Sequence, residues 1–157
     1  MRREYVISCP VCNEEEFAVT RKSDIKWMKK KLSEHLQKSH AREVEEWYEK
    51  NRKNWRYVKR ECLRPFKKKL VIGAVEGRVL KAKIDEETLR RLEEAKNLSS
   101  LLSALEYICA VKMKARRDFA AFATAMQAAT LKEWLFAYFI EHTAVVKMKH
   151  QNQNCSG

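Results

Sequence analysis

The sequence predicts a mostly helical α+β protein, and three observations lead to that fold class. Only 3 glycines and 2 prolines occur among 157 residues, which argues against a β-rich chain with many tight turns. Apolar residues return at helical spacing over most of the chain, whereas strand-like runs are short and lie within residues 5–20 and 69–84. Because 45% of the residues are hydrophobic, the chain can bury a packed core.

Four potential metal ligands lie in the N-terminal region. Cys9 and Cys12 enclose Pro10-Val11, and His35 and His40 follow at a distance. Two cysteines at this spacing can hold one side of a tetrahedral zinc ion. Two histidines separated by four residues can close the other side from the last turns of a helix. The pattern therefore predicts a zinc site.

The segments around these ligands have a periodicity that suits such a site. Residues 5–8 and 17–20 are predicted strands on either side of the cysteine pair, and a helix is predicted from Ser23 or Asp24 onward. Its apolar residues at helical spacing are Ile25, Met28, Leu32 and Leu36. Since both histidines fall on or beside this apolar face, we expect them to point toward the cysteines.

Residues 1–40 resemble the Cys2His2 zinc finger family. Besides the ligands, Phe17 and Leu32 occupy the family's aromatic and leucine positions. The resemblance implies a ββα module with one structural Zn²⁺ per chain. The implied ligands are Cys9, Cys12, His35 and His40. Because 22 residues separate the second cysteine from the first histidine, more than the family's usual ~12, the family's rule for base-contacting helix positions is not carried over.

The positive charge of the chain is concentrated in one region. Residues 21–69 hold 18 Lys and Arg against 7 Asp and Glu, a net charge of +11 out of +12 for the whole chain. A concentrated basic stretch is typical of a protein that binds a polyanion, usually nucleic acid. The residues expected to contact phosphates are Lys29, Lys30, Arg52, Lys53, Arg56 and Lys59, and Lys26 is a further candidate DNA contact.

A basic connecting helix is predicted over residues 41–65. Proline disfavours helical geometry in the residue before it, so Arg64-Pro65 is expected to end this helix and to mark a domain boundary. Trp47 and Trp55 share one side of the helix with Val58. We therefore expect these aromatic residues to pack on a neighbouring domain; stacking on bases is the alternative.

Two strands and two helices are predicted after this boundary. Residues 69–74 and 78–84 have the β-branched content of strands, and the second run alternates in polarity. Asp85-Glu86-Glu87 favours a helix start, since acidic side chains stabilise the positive N-terminal end of a helix. A break is expected at Lys96-Asn97, with Asn97 or Ser99 capping the next helix.

Residues 78–110 resemble the ribbon-helix-helix family of DNA-binding proteins. In that family two chains pair their single strands, and the outward side chains of this ribbon meet base edges. By position the outward residues here are Val79, Lys81 and Lys83, and Arg78 is a further candidate DNA contact. The alternative is that residues 69–74 pair with 78–84 within one chain, so that the lysines form the exposed side of an ordinary hairpin.

Residues 116–150 are the most apolar part of the chain. They predict one long helix, or two helices with a break near Thr130. Since apolar residues lie on several sides, we expect burial against the rest of the chain or against a second copy in a homodimer. The predicted organisation is a finger over 1–40, a connecting helix over 41–65, a strand-helix-helix and helical dimerisation region over 66–149, and a disordered tail over 150–157.

These features favour a zinc-dependent DNA-binding protein, most simply a transcriptional regulator that contacts duplex DNA. A zinc-containing adaptor for protein or RNA partners is the alternative, and a metal-dependent nuclease is a weaker one. No P-loop, dinucleotide-binding glycine pattern or nucleophile elbow occurs, so an enzyme is not expected. No signal-peptide pattern and no apolar run of membrane-spanning length occurs, so we expect an intracellular protein that does not enter a membrane.

Overall fold

The computed structural model of the chain describes residues 2–68, 70–82, 84–114 and 118–151. The helices in this described part are α1 (Ile25–Ser39), α2 (Ala41–Lys50), α3 (Arg52–Lys67), α4 (Glu86–Glu93), α5 (Leu98–Met113) and α6 (Phe119–Thr143). The strands are β1 (Arg2–Ser8), β2 (Glu16–Val19), β3 (Leu70–Val75), β4 (Arg78–Ala82) and β5 (Lys147–Gln151). The predicted mostly helical α+β class is confirmed, as is the N-terminal hairpin followed by a helix.

The predicted connecting helix is divided into α2 and α3 at Asn51. The Asn51 side chain donates a hydrogen bond of 2.8 Å to the Trp47 carbonyl, which caps the end of α2. The backbone of Asn51 leaves helical geometry, with φ −109° and ψ 57°. The two helices therefore have separate ends, which the continuous basic pattern of the sequence did not indicate.

Pro65 does not end α3, so this predicted boundary of the helix is wrong. The helix continues to Lys67 with the proline inside its last turn. At that position the missing N–H removes only one hydrogen bond near the helix end. Phe66, which is buried, holds the last turn against the core.

The N-terminal sheet has three antiparallel strands in the order β2-β1-β5. β1 pairs on one side with β2, with Ile7 opposite Phe17, and on the other side with β5, with Tyr5 opposite Met148. β5 was not predicted from the sequence. The helix predicted over 116–150 ends at Thr143, and residues 147–150 form a strand instead, so this end of the prediction is wrong. His150 and Gln151, which fall at the start of the predicted tail, lie in this strand, whereas residues 152–157 lie outside the described part.

β3 and β4 form an antiparallel hairpin within one chain. Glu76 and Gly77 make the two-residue turn, and both have positive φ values, 52° and 76°. Positive φ at both central positions gives the type I′ turn that matches the twist of paired strands. The intrachain pairing, which was the alternative to a two-chain ribbon, is thus the arrangement found for residues 78–82. Lys83 lies outside the described residues.

α4 and α5 begin where the sequence predicts. The Asp85 carboxylate accepts a hydrogen bond of 2.7 Å from the Thr88 N–H, and Lys112 also pairs with it. Partial burial raises the pKa of Asp85, but the bonds from Lys112 and Thr88 outweigh burial and lower this pKa to about 2. At α5, Asn97 and Ser100 form a reciprocal capping box.

α6 is continuous through Thr130, so of the two possibilities left open by the sequence the single long helix is the one formed. The Thr130 hydroxyl donates to the Met126 carbonyl and stays within the helix. In the described part of the chain, no helix is both long and apolar enough to cross a membrane.

The chain divides into two compact units. The first combines residues 2–44 with 135–151, and the second spans 45–134. The buried apolar residues of the first unit are Val6, Ile7, Cys9, Met28, Leu32, Leu36, Val44, Leu135, Phe136, Phe139 and Ile140. Those of the second are Tyr48, Trp55, Val58, Cys62, Leu63, Phe66, Leu92, Ala95, Leu98, Leu101, Leu105, Ile108, Ala121, Ala125, Ala128 and Leu131. The predicted division of the chain into 1–40, 41–65, 66–149 and 150–157 stays a prediction.

Replacing Asn97 by alanine tests the start of α5. Its carboxamide oxygen accepts the Ser100 N–H at 2.8 Å, and loss of such a cap lowers the free energy of unfolding by about 1 kcal/mol. Denaturant titration should show this loss for Asn97→Ala. Ser99→Ala, an exposed neighbour in the same turn, is the control and should stay within about 0.5 kcal/mol of the parent. Equal stability of Asn97→Ala and the parent would contradict the capping role.

Candidate metal centre and basic surfaces

The four predicted ligands come together in the first unit. One ligand atom from each of Cys9, Cys12, His35 and His40 lies within 4.8 Å of all the others. The cysteines come from the turn between β1 and β2, and the histidines come from the end of α1. This Cys2His2-like group, beside a β-hairpin and a helix, can hold one metal ion such as zinc.

The backbone shapes the cysteine turn. The Cys9 N–H donates to the Glu15 carbonyl at 2.8 Å, and the Asn13 N–H donates to the Cys9 carbonyl at 3.0 Å. Asn13 has φ of 57°, a left-handed conformation that asparagine tolerates better than most residues. These bonds close the turn that carries both cysteines.

The histidines lie about one and a half helical turns apart. His35 sits inside α1, while His40 is its C-cap, and the His40 N–H donates to the Leu36 carbonyl at 2.9 Å. The two rings meet edge to face with centroids 4.9 Å apart. His35 Nε2 lies 3.6 Å from Cys12 Sγ. Nitrogen and sulfur ligands of one tetrahedral zinc ion are also about 3.6 Å apart, given their usual bond lengths.

The two thiols have opposite electrostatic environments. Backbone N–H groups of Glu15 and Glu14, followed by the side chains of His35 and His40, lower the pKa of Cys12 to about 6. Burial raises the pKa of Cys9, and a charged Cys12 beside it raises it further. A cation between the two sulfur atoms would stabilise both thiolates, since metal coordination deprotonates a thiol.

His40 offers an independent test of the fit to a metal. Its Nδ1 is buried and has no hydrogen-bond partner among the described residues. Glu43 Oε2 lies 3.8 Å away, which allows an electrostatic contact but exceeds hydrogen-bonding distance. Native proteins rarely leave such a buried atom unpaired, and coordination of a metal ion by this nitrogen would give it a partner.

The long spacing between the cysteines and the histidines is taken up before and within α1. A 3-10 turn at Lys22–Asp24 follows β2, and ten residues of α1 precede His35. Leu32, one of the two supporting residues, is fully buried, while Phe17 is half-buried. α1 contacts both β1 and β2, so the ligands link three elements that also pack together.

The predicted DNA-contacting lysines of the first unit differ in their environments. Lys26 and Lys30 are exposed on α1. Lys29 is half-buried, and its ammonium lies 2.6 Å from a carboxylate oxygen of Glu141. Lys29 thus already has an anionic partner within the protein.

The remaining predicted contacts belong to the second unit. Arg52, Lys53 and Arg56 are exposed on α3, whereas the Lys59 ammonium donates to the Glu93 carbonyl at 2.7 Å near the end of α4. Arg78 is exposed at the first position of β4. The side chain of Lys81 is not among those described, so its contact with DNA stays a prediction.

Sequence reasoning missed three residues around these surfaces. Trp27 is exposed on α1, Glu43 lies beside His40, and Asn13 holds the cysteine turn. Trp27 could have been found, because it lies off the helical face that Met28 and Leu32 share. Trp55, by contrast, is buried, and its ring centroid lies 6.0 Å from that of Tyr48 in the same predicted segment. Packing on a neighbouring domain stays a prediction.

Comparison with protein-family models, curated proteins and solved structures finds no match for this chain. The metal centre is therefore defined by its own geometry, and no family is identified.

Removing two ligands tests the metal centre. The double variant Cys12→Ser/His40→Ala should lose tightly held zinc, measured by elemental analysis after dialysis. Amide exchange should then quicken over both 2–44 and 135–151, because these segments share one core. Cys109→Ser, which alters a cysteine outside the cluster, should keep one zinc ion per chain. Unchanged zinc content in the double variant would contradict the assignment.

Asn13 gives a second test, which leaves all four ligands in place. Asn13→Val puts a β-branched residue at positive φ, which costs about 1–2 kcal/mol and should weaken zinc binding in competition with a chelating indicator. Asn13→Gly tolerates this backbone and should bind zinc like the parent. Equal zinc affinity of the valine and glycine variants would show that the turn does not limit binding.

Proposed function

We propose that this chain is a zinc-stabilised DNA-binding protein that contacts the phosphate backbone through the outer face of α3. The metal centre has a structural role, since its four ligands come from the protein and would complete a tetrahedral site. A transcriptional regulator is the simplest biological role for such a protein. Duplex preference and homodimer formation stay predictions.

The exposed surface of α3 carries the proposal. Seven of its positions are exposed, and six of them are arginine or lysine. These six are Arg52, Lys53, Arg56, Arg60, Arg64 and Lys67. The seventh is Tyr57, whose ring centroid lies 5.6 Å from the Arg60 guanidinium carbon. The opposite face is apolar and buried, so packing of α3 leaves the cationic face directed to solvent.

Most of this cationic face has no anionic partner among the residues that the structure describes. Arg64 pairs with Glu61 at 2.7 Å, and Lys67 lies 3.8 Å from Glu93. The other four form no ion pair with any described residue. Like charges along one helix face destabilise the helix by a few tenths of a kcal/mol per pair. A polyanion that neutralises them would relieve this repulsion.

The shape of the surface suits a phosphate backbone. The cations from Arg52 to Lys67 span about 22 Å along the helix axis at 1.5 Å per residue. Four of the six are arginines, whose planar guanidinium groups bind phosphate through two parallel hydrogen bonds.

Neutralising two arginines tests the proposal. In Arg56→Ala/Arg60→Ala, the slope of log affinity against log salt should fall by about 1.8, because each phosphate contact releases counterions worth about 0.9. Alanine favours helix, so α3 should stay folded. Binding of a fluorescent duplex would be measured by anisotropy over a range of salt concentrations, with helicity checked by circular dichroism.

Lys114→Ala provides the matched control. This exposed lysine lies at the end of α5 in the same unit, outside the cationic face. It should leave the slope nearly unchanged. An unchanged slope in the double arginine variant would overturn the assignment to α3. Stoichiometric capture of an acidic protein, without binding to nucleic acid, would favour the adaptor alternative.

A further inference from the structure

We propose that the first half of α1 forms a second nucleic-acid contact, where Trp27 stacks on an unpaired base. Four exposed cations would hold the adjacent phosphates: Lys26 and Lys30 of α1, and Arg21 and Lys22 of the segment that leads into it. This inference rests on the proposed function, that the chain binds nucleic acid. It adds a ligand class: strands with unpaired bases.

Trp27 is the most exposed aromatic residue in the described part of the chain. Its relative exposure is 54%, while its neighbour Met28 is fully buried. Of the other tryptophans, Trp55 is buried and Trp47 and Trp134 are half-buried. The indole of Trp27 therefore contributes little to the core of its unit and is accessible to a ligand.

The charges around Trp27 complement a polyanion. Arg21, Lys22, Lys26 and Lys30 are exposed and form no ion pair with any residue that the structure describes. Two neighbouring lysines do have carboxylate partners: Lys29 pairs with Glu141 at 2.6 Å, and Lys31 with Glu34 at 3.6 Å. The four cations without a described ion pair lie within six residues of Trp27 along the chain, and Asp24 is the acidic residue among residues 21–31.

The combination of ring and cations fits a nucleotide. The Lys31 ammonium lies 5.6 Å from the centroid of the Trp27 ring, so aromatic and cationic groups are presented side by side. A nucleotide offers the matching pair, a flat base and a phosphate. Bases inside a duplex already stack on both faces, whereas an unpaired base can expose one. Stacking on aromatic side chains is the common mode of single-strand recognition.

The metal centre holds this surface in place. His35 lies eight residues after Trp27 on the same helix, about 12 Å along its axis. The ligand group ties the later part of α1 to the β1–β2 turn. Removal of zinc should therefore weaken nucleic-acid binding at Trp27, even though none of the four candidate metal-coordinating residues is in contact with the indole.

The test compares Trp27→Ala with the full-length parent on matched oligonucleotides. The probes are a fluorescent DNA strand of about 20 nucleotides, the same strand as RNA, and the DNA strand annealed to its complement. Trp27→Ala should bind the single strands about 5- to 160-fold more weakly, the range expected for one lost stacking contact, and the duplex within about twofold of the parent. Trp27→Phe should recover part of the loss, because phenylalanine keeps an aromatic face. The two single strands show whether DNA or RNA is preferred.

Val145→Ala is the control for loss of exposed apolar surface in the same unit, since Val145 is 70% exposed. It should bind all probes like the parent, and every variant should keep its zinc and its circular dichroism spectrum. Equal single-strand affinity of Trp27→Ala and the parent would overturn the inference. Equal losses on single strand and duplex would do the same. A parent that binds none of the probes would overturn the proposed function as well.

The two proposals fail separately because their variants lie in different units. If Arg56→Ala/Arg60→Ala binds as the parent does while Trp27→Ala loses single-strand affinity, the assignment to α3 fails and the Trp27 site stands. If instead Arg56→Ala/Arg60→Ala loses affinity while Trp27→Ala binds as the parent does, the Trp27 site fails and α3 remains as the nucleic-acid contact. Binding to anionic lipid vesicles with no binding to any oligonucleotide would overturn both.

Discussion

The convergence of two cysteines and two histidines constrains the whole N-terminal unit. Its hairpin and helix share a small core, in which α1 contributes Met28, Leu32 and Leu36 as fully buried residues. So few apolar residues give a short ββα segment little stability, and small modules commonly use a metal to supply the rest. The four clustered side chains bring the cysteine turn next to the end of α1.

The unit extends beyond a finger-like module because the C-terminal part of the chain joins it. β5 adds a third strand to the sheet, and the last turns of α6 supply Leu135, Phe136, Phe139 and Ile140 to the core. The pair between Lys29 and Glu141 joins α1 to the same part of α6. Such a half-exposed pair contributes at most about 1 kcal/mol, so apolar burial and strand pairing account for most of the association.

α3 shows how one helix can serve both folding and binding. Trp55, Val58, Cys62 and Phe66 recur at helical spacing and are buried, which fixes the orientation of the helix. Burial also raises the pKa of Cys62 to about 12, so this thiol is neutral and unreactive at physiological pH. The same orientation directs the basic residues outward. Burial of the apolar face stabilises α3 by more than the repulsion between these residues destabilises it. Stability and the proposed binding surface thus lie on opposite faces and can be altered independently.

The sequence alone was enough to predict the cluster of two cysteines and two histidines, the N-terminal hairpin and helix, the starts of α4 and α5, and the concentration of positive charge. Each of these depends on local spacing or on the chemistry of a few neighbouring residues, such as Asn97 at its cap. Tertiary structure alone decided the pairing of β5 with β1, the intrachain pairing of β4 and the continuation of α3 through Pro65. It also decided which lysines already have a carboxylate partner. Lys29 and Lys26 look alike in sequence, but only Lys29 meets an acidic residue from a distant segment, Glu141. Three of these features depend on contacts that no local sequence pattern records. They are the strand partners, the helix end held by the buried Phe66, and the ion pair between residues 112 positions apart.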